Sequence, residues 1–176
     1  PIRPTSYVVT ADDGCGRIAM DTVEVSPCRC APSEVLGTAS FTTLSGTVPT
    51  TLSPGVYYAA TDLTVTGTAT FNNAILLMEP DVAIFVNNTA KFILDSTHIF
   101  TCPDTNRLWA GIRLQSSGSN SARIEVKNGS LIEDAYYAIL AQNIKAPSSG
   151  NIIDITNSTF NRNRIGLSVN GAYTLG

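Results

Sequence analysis

Apolar side chains occupy every second position of short segments, and the segments repeat. Leu63, Val65, Gly67 and Phe71 return as Ile84, Val86, Asn88 and Phe92, and again as Ile124, Val126, Asn128 and Ile132. The first offset is 21 residues and the second 40, close to two turns of about twenty, which is the range of repeating solenoids. A fourth copy begins at Ile153, Ile155 and Asn157, with Phe160 one place early. Alternation puts Ile124 and Val126 on one face and Arg123, Glu125 and Lys127 on the other, giving an apolar inside and a wet outside. A sandwich shares that alternation. Repetition in register argues instead for an all-β fold of coils stacked in one direction, a parallel β-helix in which each strand pairs with its equivalent one coil away.

The same pattern predicts strands at Leu63–Val65, Ala74–Met78, Val82–Val86, Phe92–Leu94 and His98–Phe100. Further strands follow at Gly111–Leu114, Arg123–Lys127, Ser130–Ile132, Ala138–Leu140, Ile152–Thr156 and Gly166–Val169, and no amphipathic helix competes. Asn88, Asn128 and Asn157 each follow a strand where the chain must bend, and Asn tolerates left-handed backbone, so a stacked asparagine ladder is expected, with Gly67 taking that place in the first copy. Gln115–Ser121 and Lys145–Gly150 read as loops leaving the coil.

Before the periodic part, Tyr7–Thr10 and Ile18–Val25 flank Asp12-Asp13-Gly14 and predict a hairpin. A two-stranded ribbon is marginal alone, so it is expected to belong to a larger sandwich. Three regions result: a hairpin over 1–30, a Pro-, Ser- and Thr-rich linker or N-terminal cap over 31–54, and the β-helix over 55–176. A cap is expected because an open first coil exposes its apolar interior and its backbone edge.

The Tyr7-Val8-Val9-Thr10 strand, the Asp12-Asp13-Gly14-Cys15 turn and the Asp21–Val25 strand resemble the closing strands of bacterial extracellular immunoglobulin-like or PKD-like modules. Trp109-Ala110-Gly111-Ile112-Arg113-Leu114, followed by Ile132-Glu133-Asp134-Ala135 and Ala138-Ile139, resembles right-handed parallel β-helix domains of the pectate-lyase-like group, and within it the cell-surface proteins of Bacteroidota. The second resemblance spans roughly residues 55 to 176. It implies a fold rather than one activity, because that group holds lyases, hydrolases, adhesins and proteins without known chemistry.

Composition narrows the partners. With 43% hydrophobic residues in 176, the chain has enough apolar content for a packed core. Net charge is −3 with no run of Lys or Arg, which argues against nucleic acid. Apolar runs such as Ala74–Met78 fall far short of the roughly twenty residues of a membrane span. The start, Pro1-Ile2-Arg3-Pro4, and the finish, Tyr173–Gly176, are those expected of a processed or excised piece of a longer exported protein, with the solenoid truncated at its C-terminal end. Cys15, Cys28, Cys30 and Cys102 allow three complete disulfide pairings. Cysteines with little Lys and much Thr, Ser and Asn predict an extracellular or cell-surface location.

Polysaccharide cleavage requires paired acids, or a calcium cluster with a base. Glu133-Asp134 is the adjacent acidic pair of the coil, but neighbours on a strand point to opposite faces. Asp12-Asp13 reads as a turn, and Asp62, Asp81, Asp95 and Asp154 are scattered. Arg113 and Arg123 alternate away from the core and read as solubilising; Trp109 is large enough to stack on a sugar but reads as a seal between a coil and its loop. His98 lacks a nucleophile motif, and the tight Cys28-Arg29-Cys30 spacing does not suit zinc. Thr64, Thr66, Thr68 and Thr70 alternate as on an ice-binding face without repeating in the next copy. Asn87-Asn88-Thr89, Asn128-Gly129-Ser130 and Asn157-Ser158-Thr159 match the glycosylation pattern, which Asn turns generate readily.

No residue is therefore assigned as catalytic, cofactor-binding or metal-binding, and no cofactor is expected. The function expected is structural or adhesive, with a polysaccharide or cell-surface glycan as partner. The alternatives are a non-catalytic part of a polysaccharide lyase or glycoside hydrolase and, as a minor one, ice binding.

Overall fold

β-Branched and aromatic residues at alternate positions make nearly every ordered segment a strand. The computed structural model describes residues 5–12, 14–16, 18–25, 31–38, 40–102, 107–117, 120–144 and 151–170. Asp13, Cys28, Cys30 and the 145–150 loop lie outside the described residues. In chain order the first elements are β1 (Thr5–Asp12), β2 (Ile18–Val25), α1 (Pro32–Val35), β3 (Thr42–Thr47), β4 (Thr51–Leu52), β5 (Gly55–Val65) and β6 (Thr68–Asn72). There follow β7 (Ala74–Met78), β8 (Ala83–Val86), β9 (Lys91–Asp95), β10 (His98–Thr101), β11 (Trp109–Leu114), β12 (Ser116–Ser117) and β13 (Asn120–Ser121). The last are β14 (Arg123–Lys127), β15 (Leu131–Glu133), β16 (Ala135–Gln142), β17 (Ile153–Ile155), β18 (Thr159–Asn161) and β19 (Ile165–Asn170).

Two parallel sheets enclose the core and come close to closing like a barrel. The larger has two arms that meet in β5, whose first half pairs with β7 and whose second half pairs with β8. One arm runs β5–β7–β10–β15–β18 and the other β5–β8–β11–β16–β19, with β3 beside β5. The smaller sheet runs β4–β6–β9–β14–β17. Parallel strands buried on one face need alternation, and the register supplies it. Leu63, Ile84, Ile112, Ile139 and Leu167 are paired one to the next, at spacings of 21, 28, 27 and 28 residues. Leu63, Ile84, Ile112 and Ile139 are buried, as are Phe71 and Phe92, whose rings meet edge to face at 4.8 Å. Each such side chain stabilises the fold by roughly 1.5–3 kcal/mol.

The sequence repeat is realised at the leading positions of its first two copies, where Phe71 nevertheless pairs with Leu94 and not Phe92, and at those of its last two, but not between them. Leu63 and Val65 pair with Ile84 and Val86, and Ile124 and Val126 pair with Ile153 and Ile155. Ile84, however, pairs with Ile112, while Ile124 pairs with Phe92, so the second and third copies lie on different sheets. The expected asparagine ladder shifts for the same reason. Asn128 and Asn157 share a corner with Asn73 and Ser96, all at φ between 45° and 56°, whereas Asn88 follows a strand of the other sheet. Backbone bonds tie the corner: Asn73 N–H to the Asp95 carbonyl, and Ser96 N–H to that of Lys127. Gly67 is not at a left-handed position, and a Cβ there would meet nothing within 4 Å.

Segment 31–54 carries structure of its own. β3 and β4 extend the sheets in parallel alongside β5 and β6. α1, started by Pro32 and an acidic first turn, sends Val35 with the following Leu36 against Leu77, Tyr58 and Phe100 on the outside of the first arm. Cys102, buried in the same cluster, is disulfide-bonded. The Gln115–Ser121 stretch, expected as a loop, contains the small β12–β13 hairpin. β1 and β2 form an antiparallel hairpin in full register, with Val8, Ile18 and Met20 exposed on one face.

Candidate functional site

The outside of the second arm is where bulky side chains gather. Phe85 on β8 pairs with Arg113 on β11, and Arg113 with Leu140 on β16, so three successive strands contribute to one outward column. Ordinary alternation is broken beside it. Gly111 pairs with Tyr137 and Ile112 with Ile139, leaving Ala138 as an extra residue in β16. Such bulges re-aim side chains. Here neighbouring Tyr136 and Tyr137, which a regular strand would send to opposite faces, both line one groove with their ring centroids 4.8 Å apart.

That groove encloses about 500 Å³, and its walls include Asp81, Arg107, Arg113 and Arg164 as well as the two tyrosines. The Arg164 guanidinium lies over the Tyr136 ring, 4.6 Å from its centroid, and Arg107 is ion-paired with Asp81. Across Arg113 a second hollow of about 530 Å³ continues along the same face, walled by Phe85, Leu140, Gln142 and the β12–β13 hairpin. Ser116 of that hairpin donates its hydroxyl to the Asn143 carbonyl at 2.5 Å, which anchors the wall. Arg113 thus borders both hollows, its guanidinium 5.8 Å from the Phe85 centroid. Flat rings, guanidinium forks and amides around an open cleft suit a polyhydroxylated ligand. The cleft holds one carboxylate, that of Asp81, among the described residues.

Apart from Asp81, the described acids of the coil weighed from the sequence are held elsewhere. Glu133, 6% exposed, accepts from Asn161 Nδ2 at 2.6 Å and meets His98 Nε2 at 2.7 Å. Burial pushes its carboxyl up, but the hydrogen bonds from Asn161 and His98 and the Arg162 charge outweigh burial and hold it below the ordinary range. Asp134 takes Arg162 through two bonds of 2.8 and 2.9 Å. His98 also stacks on Phe100. Trp109 is buried with its indole N–H on the Glu133 carbonyl, so it cannot stack on a ligand. Asp62 accepts from the Ala83 N–H, and Asp95 from Asn128 Nδ2. Asp154 pairs with Glu125 on the outside of the smaller sheet. Lys127 and Lys91 hold the Glu125 carboxyl below its usual range there, and Arg123 pairs with Lys91 in the same charged lattice.

Thr64 stands on β5, Thr68 and Thr70 on β6 and Thr66 between them, so the four threonines are divided between two sheets. In the second pattern match to glycosylation, Ser130 is wholly buried and donates to the Lys127 carbonyl. No three His, Cys, Asp or Glu side chains converge as a metal site among the described residues, and none of their helices is long and apolar enough to cross a membrane.

The groove is not legible in the sequence because its residues come from β11, β16 and the turns before β8, β11 and β19, and each looks like an ordinary outward position. Phe85 was the available signal: a large aromatic on an outward position, one pairing step from Arg113. In comparisons with known proteins, no family model, curated protein or solved structure matches this chain significantly.

Proposed function

We propose that this chain is part of a right-handed parallel β-helix of an exported protein, and that it binds glycan on its outer face without cleaving it. Strands one turn apart pair in parallel along all three walls, which supports the solenoid reading. The Cys102 disulfide supports an oxidising location, extracellular or at the cell surface. The β1–β2 hairpin fits the end of an immunoglobulin-like or PKD-like module that precedes the solenoid.

One observation carries the functional reading: the bulge at Gly111 turns two adjacent tyrosines into a groove bordered by arginines. Aromatic faces stack on sugar rings while guanidinium groups bond ring substituents. Hydrolysis needs two carboxylates about the scissile bond, and Asp81, the one carboxylate of the cleft among the described residues, is ion-paired with Arg107. The experiment is a glycan array followed by reducing-end and unsaturated-product assays on each bound glycan. Binding without product is the expected result. Turnover would overturn the non-catalytic role, and an empty array would overturn glycan binding.

A further inference from the structure

We infer that Asn128–Gly129 is a latent self-modification site: the coil of β17, β18 and β19 keeps it inert, and when that coil opens Asn128 deamidates to aspartate or isoaspartate against Asp95. The pair stands at the corner between β14 and β15, where two successive residues take left-handed backbone, φ 56° at Asn128 and 79° at Gly129. Asparagine and glycine adopt that backbone at least cost. The same choice carries a chemical liability, because glycine leaves the backbone nitrogen that follows the asparagine without a side chain to screen it. Both residues are exposed, and nothing lies within 4 Å of where a Gly129 Cβ would stand, so water reaches the reacting groups. Asn170 is the other asparagine that glycine follows, but Gly171 lies outside the described residues.

In the reaction the Gly129 nitrogen gives up its proton to hydroxide and attacks the side-chain carbonyl carbon of Asn128. A C–N bond forms and the Cγ–Nδ2 bond breaks with loss of ammonia. Water then opens the cyclic imide at either carbonyl, giving aspartate or isoaspartate. The fold pins both reacting groups. Gly129 donates its N–H to the Asn157 carbonyl at 2.6 Å, which holds the proton that must leave, and Asn128 Nδ2 donates to Asp95 Oδ1 at 2.8 Å, which fixes the amide. Asn157 belongs to a segment built to open early. It follows β17, a three-residue strand that pairs with β14 alone among the described residues, and Ile153 and Ile155 on that strand are only half-buried. Short peripheral elements with little burial open at a fraction of the global unfolding free energy. Conversion then hinders closing. A carboxylate at position 128 sets a like charge against Asp95 in place of a donor, and Lys127, 3.9 Å from Asp95, is already shared with Glu125. Isoaspartate also lengthens the main chain by one methylene at the corner, so the turns no longer stack in register.

The test incubates the full 176-residue chain at mildly alkaline pH and follows Asn128 by peptide mass mapping, with electron-transfer fragmentation separating aspartate from isoaspartate. In denaturing urea Asn128 is expected to convert to both products, and in the folded chain to convert about a hundred-fold more slowly or less. In urea below the unfolding transition the rate is expected to rise less steeply than global unfolding does, since one coil exposes less surface than the whole chain. Ile155→Ala thins the packing of β17 at a residue that pairs with Val126. It is expected to raise the folded rate at least ten-fold and leave the rate in denaturing urea unchanged. Should that variant fail to fold, the urea dependence of the unaltered chain decides. Asn128→Asp is expected to lower the melting temperature, and Asp95→Asn combined with it to recover most of the loss. Equal rates in folded and unfolded chain would overturn the guard, and no conversion in denaturing urea would overturn the site. A urea dependence as steep as that of global unfolding, or a folded Ile155→Ala chain reacting at the parent's rate, would overturn the role of the last coil. An Asn128→Asp chain as stable as the parent would overturn the consequence at Asp95.

Discussion

The carbonyl oxygen of Tyr137 lies 1.5 Å from where a Cβ on Gly111 would stand, and Gly111 holds a φ of +98°. Only glycine fits both conditions, and the bulge that aims Tyr136 and Tyr137 depends on it. Gly111→Ala is expected to cost about 3 kcal/mol or more, through left-handed strain plus displacement of β16. Gly67→Ala, with nothing within 4 Å of its Cβ, is expected to stay within about 0.5 kcal/mol of the parent. Denaturant melts of the two variants check the contrast, and equal stabilities would contradict the bulge assignment.

Glu133 gives the fold an acid-sensitive element. Its carboxyl is held below the ordinary range, so its stabilisation is complete above the unfolded value of about 4.3 and is lost as pH falls through the lower folded value. Glu133→Gln is expected to lower stability at pH 7 by about 2 kcal/mol, since His98 and Arg162 lose the negative charge and one of the two accepting oxygens. The gap between parent and variant should narrow as pH falls below about 4.3. A gap constant across that range in thermal melts would show that the ionised carboxylate is not what holds the cluster.

Cys102 fastens the outside of the first arm, where Val35 and Leu36 cover Leu77 and Phe100. Cys102→Ser, or reduction, is expected to cost about 2–4 kcal/mol. Amide exchange should then rise first around Val35 and Leu36. Stability indifferent to reductant would contradict a structural role for the bond.

At the groove, Tyr136→Ala is expected to weaken glycan binding about ten-fold, or about 1.4 kcal/mol, by removing a stacking face and freeing Arg164. Tyr136 is 37% exposed, so the melting temperature should move little. Affinity electrophoresis of a glycan selected by the array reads the change directly.

Much of the architecture was legible because burial imposes alternation. Arg123–Lys127 emerges with the bounds and the in–out pattern its sequence predicts, and the Leu63–Ile84 register is the one its 21-residue spacing implies. The later spacings were hidden by insertions. Residues between β10 and β11, and the β12–β13 hairpin, lengthen one turn, so Ile124 looks like the partner of Ile84 although it packs on the other sheet. β6 was missed because Thr68–Asn72 is short and Thr-rich, and β3 because Gly46 interrupts its pattern. Alternation placed Glu133 and Asp134 on opposite faces, but the strand ends at Glu133, Asp134 turns at a φ of 57°, and both carboxylates meet the Arg162 guanidinium; nor could alternation foresee Tyr136 and Tyr137 lining one cleft, since a bulge is a local exception to it.

The proposed glycan site is the outer face of the second arm. Chemical-shift mapping of the isotope-labelled chain with an array-selected glycan reads that placement residue by residue. The largest perturbations are expected at Phe85, Arg113, Tyr136, Tyr137 and Arg164, with Lys91, Glu125 and Lys127 on the smaller sheet unmoved. Perturbations centred on that charged lattice, or none at the tyrosines under saturating glycan, would contradict it.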